Sequence, residues 1–362
     1  MRTQNITIHL RRVVDDSYVI HFVRSPAEIS EEIGRKFNKR SLFILTDTNV
    51  ARFHGKNFYR SLRKHQSQCH LMVIPAGEKS KSRAMKETIE NELISRGVSR
   101  DSLLIALGGG VIGDIGGFTA ATILRGIDYI QIPTSLLAQV DSSIGGKVAL
   151  DHPRGKNLIG AFYQPKAVYI SVSMLRTLPE KEYVNGLAEV IKYAAILDNN
   201  LFRYLERQRD NILDRNIACL SYIVRRCCQL KKSIVETDER ERGLRRILNF
   251  GHTIGHAIEQ CSDYRLRHGE AIAIGMVKEA EISLRIGLIR QHDYNRLTGL
   301  ISSYRLPLKI PRAIPVHFLI RTIQSDKKIM SGRVHYTLLR GLGNGAPGIE
   351  VPEREVLEAL RS

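Results

Sequence analysis

A carboxylate and three histidines in the second half of the chain have the residue types of a divalent-metal site. Glu189 lies in an apolar stretch, and His252, His256 and His268 follow further along the chain. One carboxylate with two imidazoles leaves a coordination position open, as in catalytic zinc sites. Because His252 and His256 are four residues apart, a helix would place both on one face. The spacing alone therefore predicts that both of these histidines bind the metal.

Lys192 follows Glu189 by three residues, so the two side chains would share a helical face. Such a pair is usually a surface ion pair, but Ala188, Val190 and Ile191 around it are apolar. A charge that is drawn into the interior needs a partner or a function. The stretch therefore indicates that the pair belongs to a buried site.

A glycine-rich turn upstream is typical of a nucleotide site. The apolar run Leu103–Leu107 continues into Gly108-Gly109-Gly110-Val111-Ile112-Gly113, which fits G-x-G-x-x-G between a strand and a helix. Such glycines permit close backbone approach, and the helix N-terminus offers amide donors to a pyrophosphate. Glycine-rich turns also occur for packing alone, and Asp114 can be simply a favourable N-terminal carboxylate.

Two further polar segments follow predicted strands. Asp47-Thr48-Asn49 could meet an adenosine ribose or could merely cap a helix. Pro133–Lys147 is dense in small and polar groups, and Lys156-Asn157 follows closely. A turn with Gly145-Gly146 beside Lys147 can present a cation and backbone amides to a phosphate. The alternative is a glycine-rich connection, but the number of polar groups favours a site.

The bulk composition is that of a soluble globular protein with a basic surface. The 362 residues suggest two domains, and hydrophobic and charged contents of 43% and 25% are ordinary. The net charge of +18 comes from scattered residues without a basic tail, so we expect no nucleic-acid partner, although a small anionic substrate would benefit. Five cysteines without C-x-x-C argue against a disulfide frame. No run could span a bilayer and the first residues lack a signal core, so we expect a cytoplasmic protein without a membrane partner.

The order of predicted elements indicates an α/β N-terminal domain with a mostly parallel, Rossmann-like sheet, and a mainly α-helical C-terminal domain. We place the boundary near Thr177–Pro179, which gives domains 1–178 and 179–362. Strands are predicted at Tyr18–Val23, Ser41–Thr46, His70–Ile74, Leu103–Leu107, Asp128–Ile132 and Ala167–Ile170, with a late pair around Val334–Leu339. Helices are predicted at Ser82–Arg96, Glu180–Leu197, Ile212–Val235, Arg246–Cys261, His268–Ile286 and Glu353–Leu360.

These motifs together resemble the 3-dehydroquinate synthase family of sugar-phosphate cyclases, and the resemblance covers essentially the whole chain. It is carried by Pro75–Ser82, Gly108–Gly117, Arg125-Gly126, Pro133–Lys147, Gly155–Gly160, Glu189–Lys192, Asp238–His256 and His268–Met276. It implies a carbon–oxygen lyase of the shikimate pathway, and hence of chorismate and aromatic amino acid biosynthesis. It also implies NAD, a divalent Zn²⁺ or Co²⁺ ion, and a homodimer.

The resemblance also implies a role for individual residues. The metal ligands would be Glu189, His252 and His268, whereas His256 would handle protons and contact phosphate. Substrate contacts would be Asp141, Lys147, Asn157, Lys192, Lys231, Arg245, Asn249, His256 and either Lys327 or Lys328, with Arg125 reaching the partner subunit's pocket. NAD contacts would be Asp47, Asn49, Glu78, Lys81, Gly109, Gly110, Asp114, Thr134, Ser135, Asp141, Lys147, Lys156 and Thr177.

The implied reaction converts 3-deoxy-D-arabino-heptulosonate 7-phosphate into 3-dehydroquinate and phosphate. Transient oxidation by NAD would acidify a C–H bond, phosphate would leave, and reduction, ring opening and an intramolecular aldol step would follow. Another sugar-phosphate cyclase and an NAD- and metal-dependent polyol dehydrogenase remain as alternatives, as does a non-catalytic basic binding protein. The basic cluster Lys147, Lys231 and Arg245 suits a substrate with a carboxylate and a phosphate, which speaks against the dehydrogenase.

Overall fold

The computed structural model describes residues 15–326 and 334–362. The strands are β1 (Val19–Phe22), β2 (Leu42–Asp47), β3 (Cys69–Ile74), β4 (Leu103–Gly108), β5 (Asp128–Pro133), β6 (Lys147–His152), β7 (Gly155–Phe162), β8 (Ala167–Ile170), β9 (His335–Gly341) and β10 (Asn344–Glu350). The helices of the first half are α1 (Pro26–Lys36), α2 (Thr48–Val50), α3 (Lys56–Arg63), α4 (Arg83–Ser95) and α5 (Gly110–Thr122). Those that follow are α6 (Glu180–Leu197), α7 (Asn199–Arg207), α8 (Arg209–Leu213), α9 (Ile217–Thr237), α10 (His252–Cys261), α11 (His268–Arg285), α12 (Gln291–Ser303), α13 (Val316–Asp326) and α14 (Glu353–Arg361).

The first half of the chain forms a six-stranded sheet in the order β1-β8-β5-β4-β2-β3, and all of its strand pairs are parallel. The inner strands are continuous apolar runs because helices cover both faces of the sheet. Leu42–Leu45 and Leu103–Leu107 are accordingly buried throughout. All six predicted strands of this half are present, and the mostly parallel sheet is confirmed.

Helices dominate from Glu180 onward, as the change of periodicity predicts. α6 is buried on almost every side, and its neighbours include α9 and α11. The predicted late strands exist as the antiparallel pair β9 and β10, and the last helix begins at Glu353. In the part of the chain that the structure describes, no helix is both long and apolar enough to cross a membrane. The division at residues 178 and 179 stays a prediction.

Three details of the sequence-based assignment were wrong. The helix predicted at Ile212–Val235 is two helices, because Asn216 caps the start of α9 by accepting hydrogen bonds from Ala218 N and Cys219 N. The helix predicted at Arg246–Cys261 begins only at His252. A 3₁₀ turn and a left-handed glycine precede it. The segment after Gly146 forms a two-stranded antiparallel hairpin, β6 and β7, that the sequence-based assignment omits.

Helices α10 and α11 contact each other through glycines. A side chain at Gly275 would place its Cβ against the carbonyl oxygen of Gly251 and 2.8 Å from the amide nitrogen of Gly255. Gly251 itself has φ +78°, a left-handed conformation that suits glycine and lets the chain enter α10 at His252. The close approach of these two helices therefore depends on glycines, which have no side chain. This approach determines the positions of His252 and His268.

We predict that Gly275→Ala destabilises the protein by about 3 kcal/mol or more, because the atoms that it meets are backbone and cannot swing aside. Gly299→Ala is the matched control. This glycine lies inside α12 with no atom within 4 Å of an added Cβ, so alanine should be neutral or stabilise by about 0.5–1 kcal/mol. Thermal and urea unfolding of both variants measure the difference. Equal stability of the two variants would contradict the packing argument.

Candidate active site

The centre of the site is a buried ion pair on α6. Glu189 is 1% exposed and Lys192 is 2% exposed, and the Lys192 ammonium lies against Glu189 Oε2. Burial alone would raise the pKa of Glu189, but Lys192 and the neighbouring histidines lower it to about 2. The carboxylate is therefore ionised at neutral pH, deep in the protein, as the apolar flanks of this pair suggested.

Two histidines from other helices face the same carboxylate. His252 Nε2 lies 3.5 Å and His268 Nε2 lies 3.4 Å from Glu189 Oε1. Ligands about 2.0–2.1 Å from a tetrahedral ion are about 3.3 Å apart, so these separations match the edges of a metal site better than they match hydrogen bonds. Apart from the ion pair with Lys192, neither carboxylate oxygen of Glu189 accepts a well-formed hydrogen bond from the described residues. Glu189, His252 and His268 therefore fit a divalent ion.

The two histidines differ in protonation. Burial, with Lys192 nearby, lowers the pKa of His252 well below its ordinary value, so this imidazole is neutral as a ligand must be. Its Nδ1 lies 3.1 Å from the carbonyl oxygen of Phe250, which leaves Nε2 directed at Glu189. Burial lowers the pKa of His268, but the carboxylates of Glu189 and Glu259 raise it to about 9, so this ring is protonated in the metal-free protein and would release a proton on binding an ion.

His256 lies beside this group but is not part of it. Its ring centre is 5.1 Å from that of His252 in an edge-on arrangement. A ring nitrogen of His256 also lies near Glu259 and His268, and these three residues form a second group with the residue types of a metal site. The geometry thus favours His268 over His256 as the partner of His252 and Glu189. His256 is exposed to the cleft, where a substrate could reach it.

A second cluster surrounds Asp141 in the π-helical turn Ala138–Ser142. Lys231 of α9 donates to its Oδ1 at 2.8 Å and to its carbonyl at 2.6 Å, and Tyr193 donates to Oδ1 at 2.5 Å. Burial would raise the pKa of Asp141, but Lys231 and Lys192 lower it well below its usual range. Burial in turn lowers the pKa of Lys231. Tyr193, missed from the sequence, follows Lys192 and looks like an ordinary core tyrosine.

A third cluster joins the hairpin β6–β7 to the 3₁₀ turn Leu244–Asn249. Lys147 is ion-paired with Glu241, and Glu241 Oε1 accepts from Asn249 Nδ2 at 2.7 Å. Arg245 is 2% exposed and donates to the carbonyl oxygen of Gly145 at 3.2 Å. Lys147, Arg245 and Asn249 are thus brought together as predicted. Glu241 was missed because it lies in the charged run Asp238–Arg242, which is typical of a solvated loop.

The glycine-rich turn lies at the carboxyl end of the central strand β4. Gly109 is the N-cap of α5, and a side chain at Gly109 or Gly110 would approach Ser135 or Ser142 within 3.4 Å. In an open parallel sheet, ligands bind at the carboxyl ends of the strands. The N-terminus of α5 therefore lies where a dinucleotide phosphate binds in sheets of this kind, and its glycines let Ser135 and Ser142 lie close to it.

Charged groups surround this turn. Lys81 is bonded to Asp114 at 2.5 Å and also to Asn157, and Glu78 is close enough to both Lys81 and Lys156 to interact electrostatically. The plainer interpretation of Asp47 is confirmed, since its Oδ1 caps α2 by accepting from Asn49 N and Val50 N.

The remaining predicted residues have simpler surroundings. Thr134 donates its amide to Gly108 O, and the Thr177 hydroxyl lies 2.6 Å from His54 Nε2. Arg125 follows α5 with φ +67°, and no hydrogen bond or ion pair joins it to the site within residues 15–326 and 334–362. Lys327 and Lys328 lie outside the described residues.

Family comparisons agree with this arrangement. The profile for the 3-dehydroquinate synthase N-terminal part matches residues 71–185, and that for the 3-dehydroquinate synthase C-terminal part matches residues 186–329. The chain belongs to the 3-dehydroquinate synthase family. A 3-dehydroquinate synthase from Pelobacter propionicus is 49% identical over 86% of this chain and 88% of its own length. One from Thermoanaerobacter pseudethanolicus is 45% identical over 98% and 99%.

Solved structures of other cyclases share the fold of this family member. The 2-epi-5-epi-valiolone synthase ValA of Streptomyces hygroscopicus subsp. jinggangensis, solved with NAD⁺ and Zn²⁺, has a TM-score of 0.90 at 25% identity and covers 98% of both chains. A 2-deoxy-scyllo-inosose synthase, solved with carbaglucose-6-phosphate, NAD⁺ and Co²⁺, has a TM-score of 0.83 at 26% identity, over 94% of this chain and 96% of its own. The glycerol dehydrogenase of Schizosaccharomyces pombe, at 15% identity, shares the fold alone.

We predict that Glu189→Ala, His252→Ala and His268→Ala each lose a bound divalent ion, because two remaining protein ligands hold it too weakly to survive dialysis. His256→Ala should retain the ion while losing turnover. Elemental analysis after loading and dialysis measures the occupancy. Full occupancy in any of the first three variants would exclude that residue as a ligand, and loss of the ion from His256→Ala would restore the assignment based on spacing alone.

Proposed function

We propose that the protein is a 3-dehydroquinate synthase that converts 3-deoxy-D-arabino-heptulosonate 7-phosphate into 3-dehydroquinate and phosphate. The observation that supports this most directly is the combination of the buried group Glu189, His252 and His268 with cationic side chains and a glycine-rich nucleotide turn in one cleft. The identity of 45–49% to relatives that bear this name favours this member over the other cyclases.

The proposed cofactors are NAD and one Zn²⁺ or Co²⁺ ion, as in the two solved cyclases. Bound there, they would supply a transient hydride acceptor and a Lewis acid for a substrate hydroxyl. Glu189, His252 and His268 are the proposed ligands. The proposed NAD contacts lie in the segments that follow the sheet strands β2, β3, β4, β5 and β8 and on the hairpin β6–β7. They are Asp47, Asn49, Glu78, Lys81, Gly109, Gly110, Asp114, Thr134, Ser135, Asp141, Lys147, Lys156 and Thr177.

The cationic side chains would bind the two anionic groups of the substrate. Arg245 is held in place by the carbonyl of Gly145, and a guanidinium forms paired hydrogen bonds with a carboxylate or a phosphate. Lys147, Lys192 and Lys231 would add positive charge, with Asn157 and Asn249 as neutral hydrogen-bonding groups. Because burial lowers the pKa of Lys231, this lysine is better suited than an exposed one to exchange a proton.

His256 is the proposed proton carrier. It lies next to His252 on the open side of the proposed metal group, so it can reach the leaving phosphate without binding the ion. Asp141 is held as a carboxylate by Lys231 and Tyr193, which suits it to orient hydroxyl groups of the substrate. Asp141 and Arg245 are held by hydrogen bonds before the substrate arrives, so positioning and electrostatics would supply much of the catalysis.

A homodimer completes the proposed site. Arg125 lies at the end of α5 in a left-handed conformation, beside the exposed Leu124. We infer that it reaches the phosphate pocket of the partner subunit. The alternative is a surface arginine whose charge suits the end of a helix. The cytoplasmic location stays a prediction.

We predict that NAD acts catalytically. With substrate, Zn²⁺ and a small amount of NAD, 3-dehydroquinate and phosphate should accumulate far beyond the NAD supplied, because the hydride is returned in each cycle. Phosphate release, product identity and NADH absorbance measure this. Build-up of NADH in proportion to product would identify a dehydrogenase instead.

We also predict that Arg125→Ala and Lys147→Ala complement each other. Each variant alone should be nearly inactive, because loss of a charge-assisted contact in a buried site costs roughly 2–5 kcal/mol. A mixed dimer would contain one pocket with both defects and one with neither. Equal amounts that exchange freely should therefore recover about a quarter of wild-type activity. No recovery after verified exchange would show that Arg125 does not act across the interface.

A further inference from the structure

Glu259 is a buried carboxylate that the proposed mechanism does not use. It lies on α10 and is only 3% exposed. A carboxylate at this depth is retained only where it has partners.

The first partner of Glu259 is a proposed metal ligand. Glu259 Oε2 lies 3.5 Å from His268 Nδ1, while the other nitrogen of the same ring, Nε2, faces Glu189. His268 therefore lies between two carboxylates, one near each ring nitrogen, and at 3.5 Å the contact with Glu259 is an ion-pair separation slightly longer than a hydrogen bond. A histidine that binds a metal commonly donates its second N–H to a carboxylate, which fixes both the tautomer and the ring orientation.

The second partner of Glu259 comes from the hairpin of the sheet half. Lys156 on β7 donates to Glu259 Oε1 at 2.6 Å, and its ammonium also lies 4.7 Å from the ring centre of Tyr264. Lys156 is itself a proposed NAD contact. The path from Lys156 through Glu259 to His268 thus runs from the nucleotide side of the cleft to the metal side.

We propose that Glu259 is a positioning residue that holds His268 with Nε2 directed at the metal, and that Lys156 holds Glu259 in that orientation. This inference rests on the proposed metal ligands. It assigns no contact between Glu259 and substrate. It also makes the metal site depend on a lysine of the sheet half, so a change at Lys156 should be detectable at the metal even without substrate.

The test measures metal binding directly in the full-length protein. Zn²⁺ affinity is determined by competition with a chromophoric chelator, and the visible spectrum of the Co²⁺-loaded protein reports the ligand geometry. Glu259→Ala should bind Zn²⁺ about 10- to 100-fold more weakly and shift the Co²⁺ bands. Glu259→Gln should lose less, because an amide oxygen can still accept from Nδ1–H. Gln260→Ala, an exposed neighbour on the same helix, is the control and should match the wild type.

A double-mutant cycle tests the role of Lys156. Lys156→Met should weaken Zn²⁺ binding in the wild-type background but have no further effect in Glu259→Ala, because its influence passes through that carboxylate. Equal effects in both backgrounds would refute the link. Thermal unfolding of the metal-free variants identifies a folding defect. If Glu259→Ala has one, Glu259→Gln, which keeps the side-chain shape, replaces it in the measurements of metal binding.

Three results would overturn the inference, and they can be told apart. An unchanged affinity and Co²⁺ spectrum in Glu259→Ala, with one ion bound by the wild type, would refute the positioning role alone. Two ions per wild-type chain, of which one is lost in His256→Ala, would show that His256, Glu259 and His268 form a metal site of their own. A wild type that binds no ion would refute the proposed metal ligands, and the function with them.

Discussion

The ionised carboxylate of Glu189, enclosed by α6 and its neighbours, is the charge on which the rest of the site depends. An isolated charge at this depth would be strongly destabilising, so groups of opposite or adaptable charge must surround it. Lys192 comes from the same helix, whereas His252 and His268 come from α10 and α11. The site therefore exists only while three helices keep their relative positions to within a fraction of an ångström.

Small residues make that arrangement possible. Gly251 and Gly255 on one side and Gly275 on the other let α10 and α11 approach until backbone meets backbone. Glu279 of α11 then accepts hydrogen bonds from the amides of Gly251 at 2.6 Å and Ile254 at 3.2 Å, at the start of α10. This buried carboxylate satisfies amides that would otherwise lack partners. Close packing and the hydrogen bonds to Glu279 thus hold the two histidine-bearing helices together.

The sequence predicted the sheet well because a buried parallel strand is a continuous apolar run with polar turns at each end. Spacing alone pointed to His252 and His256 as ligands beside Glu189, and only the family resemblance implied His268, which is the histidine that the structure brings to Glu189 and His252. Helix starts at Asn216 and Gly251 were missed because apolar spacing continues across both caps. Glu241 and Glu259 were missed for another reason: in a single sequence their charges look solvated, and only tertiary structure brings lysines of the hairpin to them.

The net charge of +18 does not reveal the charge of the site itself. Each lysine of the cleft is bonded to its own acid; the pairs are Lys81 with Asp114, Lys147 with Glu241, Lys156 with Glu259, Lys192 with Glu189 and Lys231 with Asp141. The excess charge therefore lies elsewhere, and the cleft is nearly balanced. An anionic substrate must compete with these acids for the lysines, so binding requires pairs to be exchanged. Among the described cations that form the site, Arg245 is held by backbone carbonyls instead of a carboxylate, so it can bind an anion without such an exchange.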